Sequence, residues 1–146
     1  MQNPEKLWYD IVYRFSEQSK CKSRHVGCVL VKNNHMLLQG FNGAPFGSTT
    51  DDCKRGKCCG GSGGSGGDLH LAICTHAEAN LIGLCARYGI SSDGCTLFCT
   101  SHPCSECAKL LVASGVVEVV YDEEYPSETA SLIFKNAGVK VRKFKV

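Results

Sequence analysis

The sequence has no apolar run approaching the roughly 20 residues that a membrane-spanning helix requires, which excludes a helical membrane protein. It also lacks an apolar leader. The start, Met1-Gln2-Asn3-Pro4-Glu5-Lys6, offers no h-region, so no export signal is expected. An excess of one charge sign is missing as well: 16 Lys and Arg stand against 14 Asp and Glu, a net charge of +2. With no clusters of basic and aromatic residues, this argues against a dedicated nucleic-acid binder. The one candidate basic tail, Lys140, Arg142, Lys143 and Lys145, is interleaved with Val139, Val141, Phe144 and Val146. It reads as the solvent face of a last strand.

Cysteine is abundant, with 11 in 146 residues. Without an export signal the expected setting is the reducing cytoplasm, where metal ligation and burial explain cysteines better than disulfides do. The odd count agrees. A hydrophobic content of 43% suits one globular domain spanning residues 1–146.

Leu7, Trp8, Ile11, Val12 and Phe15 recur at helical spacing and predict an opening amphipathic helix. Val26 to Val31 reads as a buried strand, Asn33-Asn34 as a turn, and Met36 to Phe41 as the returning strand of a hairpin. Helices are expected over Ala77 to Tyr88, Cys104 to Ser114 and Glu128 to Asn136, the last two closed by Gly115 and Gly138. Strands are expected over Thr96 to Cys99, Val116 to Tyr121 and Val139 to Val146. This alternation of strand and helix implies parallel pairing with helices packed on the sheet. Residues 42–75 show little periodicity and include a Gly/Ser tract at residues 60–67. The tract is either an engineered linker replacing a natural loop or a native glycine-rich loop, and in either case should carry no chemistry.

His76-Ala77-Glu78 and Pro103-Cys104-Ser105-Glu106-Cys107 carry the chemistry. His76, Cys104 and Cys107 supply three metal ligands, which leaves the fourth tetrahedral position of a zinc ion open to water, as in catalytic rather than structural sites. Glu78 stands two residues from the His, placed to move protons. Both ligand groups fall at starts of expected helices, whose N-termini favour thiolates. A structural zinc knuckle would need a fourth Cys or His nearby. It would also leave Glu78 as an unpaired carboxylate on a buried helix, which is costly.

These motifs resemble the cytidine deaminase superfamily. Within it, the chain is similar to the deoxycytidylate (dCMP) deaminases of phage and bacterial type. The resemblance is carried by Val26-Gly27-Cys28-Val29-Leu30, Gly40-Phe41-Asn42-Gly43-Ala44-Pro45, His76-Ala77-Glu78-Ala79-Asn80-Leu81-Ile82, Pro103-Cys104-Ser105-Glu106-Cys107-Ala108-Lys109 and Ala113-Ser114-Gly115-Val116. It implies a three-layer α/β/α fold on a mixed five-stranded sheet. It implies hydrolysis at C4 of the cytosine of dCMP, giving dUMP. Glu78 would shuttle protons from water to N3 and to the departing amine. The backbone at Ala77 and Cys104 would hold the pyrimidine edge, and Asn42 the sugar 3′-hydroxyl.

Ser23 and Arg24, with Lys22, lie in a loop that could meet the substrate phosphate. Tyr121 and Tyr125 could close the pocket. Relatives with a further structural zinc point to Cys21, Cys53, His70 and Cys74 as a second ligand set, with Cys58 or Cys59 as substitutes. Homohexamers regulated by dCTP and dTTP are also implied by the resemblance. Two other readings stand beside it: a deaminase of nucleic acid, acting on tRNA adenosine or single-strand cytidine, and a non-catalytic zinc-binding module. Cys28, Cys85, Cys95 and Cys99 read as small core residues, and His102 as a neighbour of the metal loop outside the ligand pattern.

Overall fold

The computed structural model describes residues 3–21, 24–49, 51 and 72–146. Ser23, Cys53, His70 and the Gly/Ser tract therefore lie outside the described residues.

Helix α1 (Pro4–Ser16) opens the fold three residues ahead of its first apolar position. Asn3 caps it, accepting a hydrogen bond from the Glu5 N–H at 3.0 Å, and Pro4 supplies the first-turn backbone angle. Strands β1 (Gly27–Lys32) and β2 (His35–Phe41) form the expected hairpin. Asn33 and Asn34 turn it with φ of 51° and 63°. A two-residue turn matching strand twist needs positive φ at both positions, and Asn tolerates this better than most residues.

Helix α2 (Ala77–Tyr88), strand β3 (Thr96–Ser101), helix α3 (Ser105–Ala113), strand β4 (Glu118–Glu123), helix α4 (Glu128–Ala137) and strand β5 (Lys140–Lys143) follow. Strand β4 starts two residues later than the apolar pattern suggests. The Val116 N–H is still bonded to the Leu111 carbonyl at 3.2 Å, closing α3, so Val116 belongs to the helix exit. Strand β5 is shorter than expected because the chain turns onto α1. The Lys145 N–H donates to Glu5 at 2.7 Å, and Asn3 donates to the Lys145 carbonyl at 2.7 Å.

The sheet is five-stranded in the order β2-β1-β3-β4-β5. Strand β1 runs antiparallel to both neighbours, while β3, β4 and β5 are parallel. Alternate residues divide the strands between two faces. Cys28, Leu30, Leu97, Cys99 and Val119 face Leu81, Cys85, Leu111 and Phe134 of α2, α3 and α4. Val29, Val31, Phe98 and Val120 face Trp8 and Val12 of α1. The expected three layers are present, and each fully buried Val or Leu contributes about 1.5–3 kcal/mol to holding them together. The four core cysteines, Cys28, Cys85, Cys95 and Cys99, are buried as expected.

Two glycines set layer spacing. A Cβ on Gly27 would overlap the Val12 carbonyl and stand 2.7 Å from the Ser16 nitrogen. A Cβ on Gly40 would stand 2.6 Å from the Ala77 carbonyl. The first lets β1 reach α1, and the second lets β2 reach the start of α2. The basic C-terminal run is not uniformly solvated: Arg142 points under α1, 2.5 Å from Glu5 and 3.4 Å from Glu118. Its hydrocarbon stem and two carboxylate partners make that position structural.

Candidate metal centre and active site

His76 is the N-cap of α2 and Cys104 the N-cap of α3, and neither side chain caps its own helix. Both side chains are thus released toward a common point, which the positive ends of two helices also face. Cys107, one turn into α3, joins them on the same face. The Cys104 and Cys107 sulfurs each lie 3.4 Å from His76 Nδ1. All three ligand atoms fall within 4.8 Å of one another. Zinc bonds of about 2.3 Å to sulfur and 2.0–2.1 Å to nitrogen, set tetrahedrally, separate ligand atoms by about 3.5 Å. The observed spacing fits zinc held by Nδ1 and two sulfurs.

The two neighbouring thiols are driven apart in acidity. The hydrogen bond from Cys107 draws Cys104 down to about 4, with His76 adding to the effect against the penalty of burial. Cys107, as the donor to Cys104 and buried near Glu78, is pushed up and keeps its proton. A dication bound to both sulfurs would displace that proton, as ligation of thiolates requires.

Glu78 occupies the first turn of α2 and is 4% exposed. Burial raises its carboxyl, while a hydrogen bond with Cys107 and the charge of His76 pull the other way. A buried carboxylate with a raised pKa beside three metal ligands is the kind of group that takes up and releases protons in catalysis.

The segments around this point are tied together by polar contacts. Gly43 and Thr75 exchange backbone hydrogen bonds of 3.2 and 2.8 Å, fixing the residue before His76. Asn80 donates to the Phe41 carbonyl at 2.9 Å, joining the first turn of α2 to the end of β2. Asn42 is buried, accepts from the Val26 N–H at 2.8 Å and donates to the Arg24 carbonyl at 2.8 Å. The Arg24 guanidinium reaches Ser101 Oγ at 2.8 Å, Glu123 at 3.7 Å and the face of Tyr125 at 5.5 Å. Asn42 and Arg24 are thereby carried to the C-terminal ends of β3 and β4, the edge where open α/β sheets bind ligands.

Tyr121 lies at that edge, its hydroxyl 3.3 Å from Glu124. With His102, Tyr125, Ser127 and Lys135 it lines a cavity of about 460 Å³. Ala77 is fully buried behind His76. Of the second candidate ligand set, Cys21 and Cys74 are buried together in one cluster, while Cys53 and His70 lie outside the described residues.

Residues 2–123 match the family of the cytidine and deoxycytidylate deaminase zinc-binding region. The chain belongs to this deaminase family. The deoxycytidylate deaminase of Saccharomyces cerevisiae is 35% identical over 130 residues, 88% of this chain and 41% of the yeast protein. The deoxycytidylate deaminase of Enterobacteria phage T4 is 30% identical over 170 residues, covering 90% of this chain and 84% of the phage protein. The crystal structure of dCMP deaminase from the cyanophage S-TIM5 in complex with dCMP and dUMP superimposes with a TM-score of 0.78 at 32% identity, covering 99% of both chains. The chain thus spans about two fifths of its yeast relative and nearly all of the cyanophage deaminase.

The sequence pattern groups His76, Cys104 and Cys107 with Glu78, and the structure brings these side chains together, but the pattern gives little weight to three residues that tie the surrounding segments of this deaminase. His102 is 7% exposed and hydrogen-bonded within the metal loop. Asn80 is a brace between two elements. Asp122 receives the hydroxyls of both Tyr9, at 3.3 Å, and Tyr13, joining α1 to the end of β4. Only His102 carried a usable signal, its place directly before Pro103-Cys104. Asn80 and Asp122 meet partners 39 and more than 100 residues away, which no local pattern encodes.

Proposed function

We propose that this single-domain protein, residues 1–146, is a cytoplasmic zinc-dependent deaminase that hydrolyses dCMP to dUMP and ammonia. The observation that carries the reading is the buried carboxylate of Glu78 beside the cluster of His76, Cys104 and Cys107. When bound there, zinc supplies a Lewis acid that lowers the pKa of water to about 7. Glu78 takes a proton from the attacking water and delivers it to N3 of the cytosine, then takes the proton of the new C4 hydroxyl and delivers it to the departing amine. The first-turn backbone at Ala77 and the backbone at Cys104 hold the pyrimidine edge.

Asn42 binds the sugar 3′-hydroxyl. After its bonds to Val26 and Arg24 its carboxamide retains one N–H and one lone pair for this contact. Arg24, with Ser23, meets the 5′-phosphate. Its guanidinium is one-third exposed and already rests against a carboxylate, Glu123, that a phosphate can replace. Tyr121 and Tyr125 wall the pocket.

The paired burial of Cys21 and Cys74 supports a second, structural zinc completed by Cys53 and His70. Leu110 on α3 and Leu132 on α4, exposed on packed neighbouring helices, support a subunit contact surface in a homohexamer regulated by dCTP and dTTP. The net charge of +2 supports a free nucleotide over nucleic acid as substrate.

The test is release of dUMP and ammonia from dCMP, run beside cytidine, a single-stranded oligonucleotide and tRNA. Turnover of dCMP well above the others is expected. Turnover of an oligonucleotide or tRNA without turnover of dCMP would reject the reading in favour of a nucleic-acid deaminase. A zinc-loaded protein inactive on all four would be a binding module.

A further inference from the structure

Only His102 and Pro103 connect the end of β3 to Cys104, the N-cap of α3. Proline has no N–H, so this link offers few backbone donors of its own. The His102 N–H is bonded to the Glu123 carbonyl at 2.9 Å, which completes the last β3–β4 pair, Ser101 with Glu123. The imidazole Nδ1 lies 2.8 Å from the Pro103 carbonyl oxygen. A carbonyl can only accept, so Nδ1 carries a proton and donates it. His102 also lines the cavity beside Tyr121.

The ring has little freedom to leave this bond. It meets Tyr121 edge-on at 4.9 Å and 82°, and Phe134 at 6.0 Å and 74°. These edge-to-face contacts, in a residue 7% exposed, hold the imidazole in one plane. The Pro103 carbonyl is held with it. Fixing that carbonyl fixes the plane of the Pro103–Cys104 peptide, and so the extended Cys104 backbone (φ −73°, ψ 173°) from which Sγ reaches toward His76.

We propose that His102 is a positioning residue for the metal centre, donating Nδ1–H to the Pro103 carbonyl so that β4 and α4 fix the direction of the Cys104 ligand. This rests on the metal-site reading above. Partners that orient ligands from outside the coordination shell typically change metal affinity or activity by about 10- to 100-fold. The competing structural role is simple filling of the space between Tyr121 and Phe134. The two roles separate by chemistry: Phe keeps a ring and loses the donor, whereas Asn keeps a donor at the same branch point and loses the ring.

The experiment is cobalt(II) titration of the metal-free full-length protein, with the Cys104→Ser spectrum subtracted to isolate this site. The expected result is that His102→Phe weakens cobalt binding by about 10- to 100-fold and shifts its visible bands, while His102→Asn lies closer to the parent in both. With dCMP as substrate, His102→Phe is expected to lower kcat more than it raises KM. A Phe variant with the parent's cobalt affinity and spectrum overturns the proposal, as does an Asn variant no better than Phe. If metal-free His102→Phe does not fold, His102→Leu against His102→Asn decides the same point, since the two are close in size and differ in the donor. Equal cobalt affinity and spectra for that pair overturn the proposal too. Because cobalt binding needs no substrate, absence of turnover on dCMP would count against the deaminase reading alone.

Discussion

The side-chain oxygen of Asn42 accepts the backbone N–H of Val26 at 2.8 Å, while its amide donates to the carbonyl of Arg24, also at 2.8 Å. One carboxamide thus holds the strand leading into β1 against the end of β2. Arg24, whose guanidinium spans toward Ser101 and Glu123, has its backbone held by the same residue.

Replacing Asn42 by Ala should therefore act twice. Loss of both bonds leaves a backbone donor and acceptor without partners, with an expected destabilisation of about 1–3 kcal/mol. Urea denaturation measures this. The KM for dCMP should rise as Arg24 loses its anchor. Unchanged stability and KM together would show that the Asn42 bonds hold nothing.

Glu78→Gln is expected to keep the fold and the metal, because the amide matches the carboxylate in shape. Turnover should drop by roughly 100-fold or more, the usual contribution of a positioned proton carrier. Metal analysis and steady-state kinetics on the same preparation check both halves. A near-normal rate in the zinc-loaded variant removes Glu78 from the mechanism.

Gly27→Ala tests the contact between β1 and α1. Its Cβ would meet the Val12 carbonyl, and backbone on both sides leaves no flexible side chain to yield. A loss of about 1–3 kcal/mol or more is expected, visible as a lowered melting temperature. Gly83→Ala is the control, since nothing stands within 4 Å of its Cβ. Equal melting temperatures for the two variants would refute the close approach.

Acid should weaken the clasp between α1 and β5. Burial alone would raise the Glu5 carboxyl, but the Arg142 hydrogen bond, the Lys145 N–H and the nearby positive charges outweigh it and hold the group below its ordinary 4.5. A depressed carboxyl stabilises the fold above the unfolded-state value and loses that contribution as pH falls through the folded-state value. The melting temperature of the parent should thus decline below about pH 4.5, and Glu5→Gln should decline less steeply over the same range. Parallel pH profiles for the two would argue that the pair is screened by solvent.

How much of this was legible beforehand differs by element. Helix α2 ran where its apolar spacing placed it, and Asn33-Asn34 turned the hairpin, because both signals are local. The apolar pattern starts β4 too early because Val116 looks like strand by type, yet its N–H is claimed by Leu111 at the end of α3. Arg142 departs from its pattern for a related reason. Alternation placed it among solvent-facing charges, but Glu5, far away in sequence, draws it beneath α1.

By itself the sequence determined the alternation of elements, the candidate ligand set His76, Cys104 and Cys107, and the nearness of Glu78 to it. These follow from residue type and short spacing, and coordination chemistry admits few other readings of them. Tertiary structure decided what surrounds them. It buried Glu78 enough to raise its carboxyl. It spent half of the Asn42 carboxamide on backbone 16 to 18 residues away. It wedged His102 between Tyr121 and Phe134. Each of these depends on chain segments brought together only when the sheet forms, and a ring edge or a carbonyl at 2.8 Å leaves no periodic trace in the sequence.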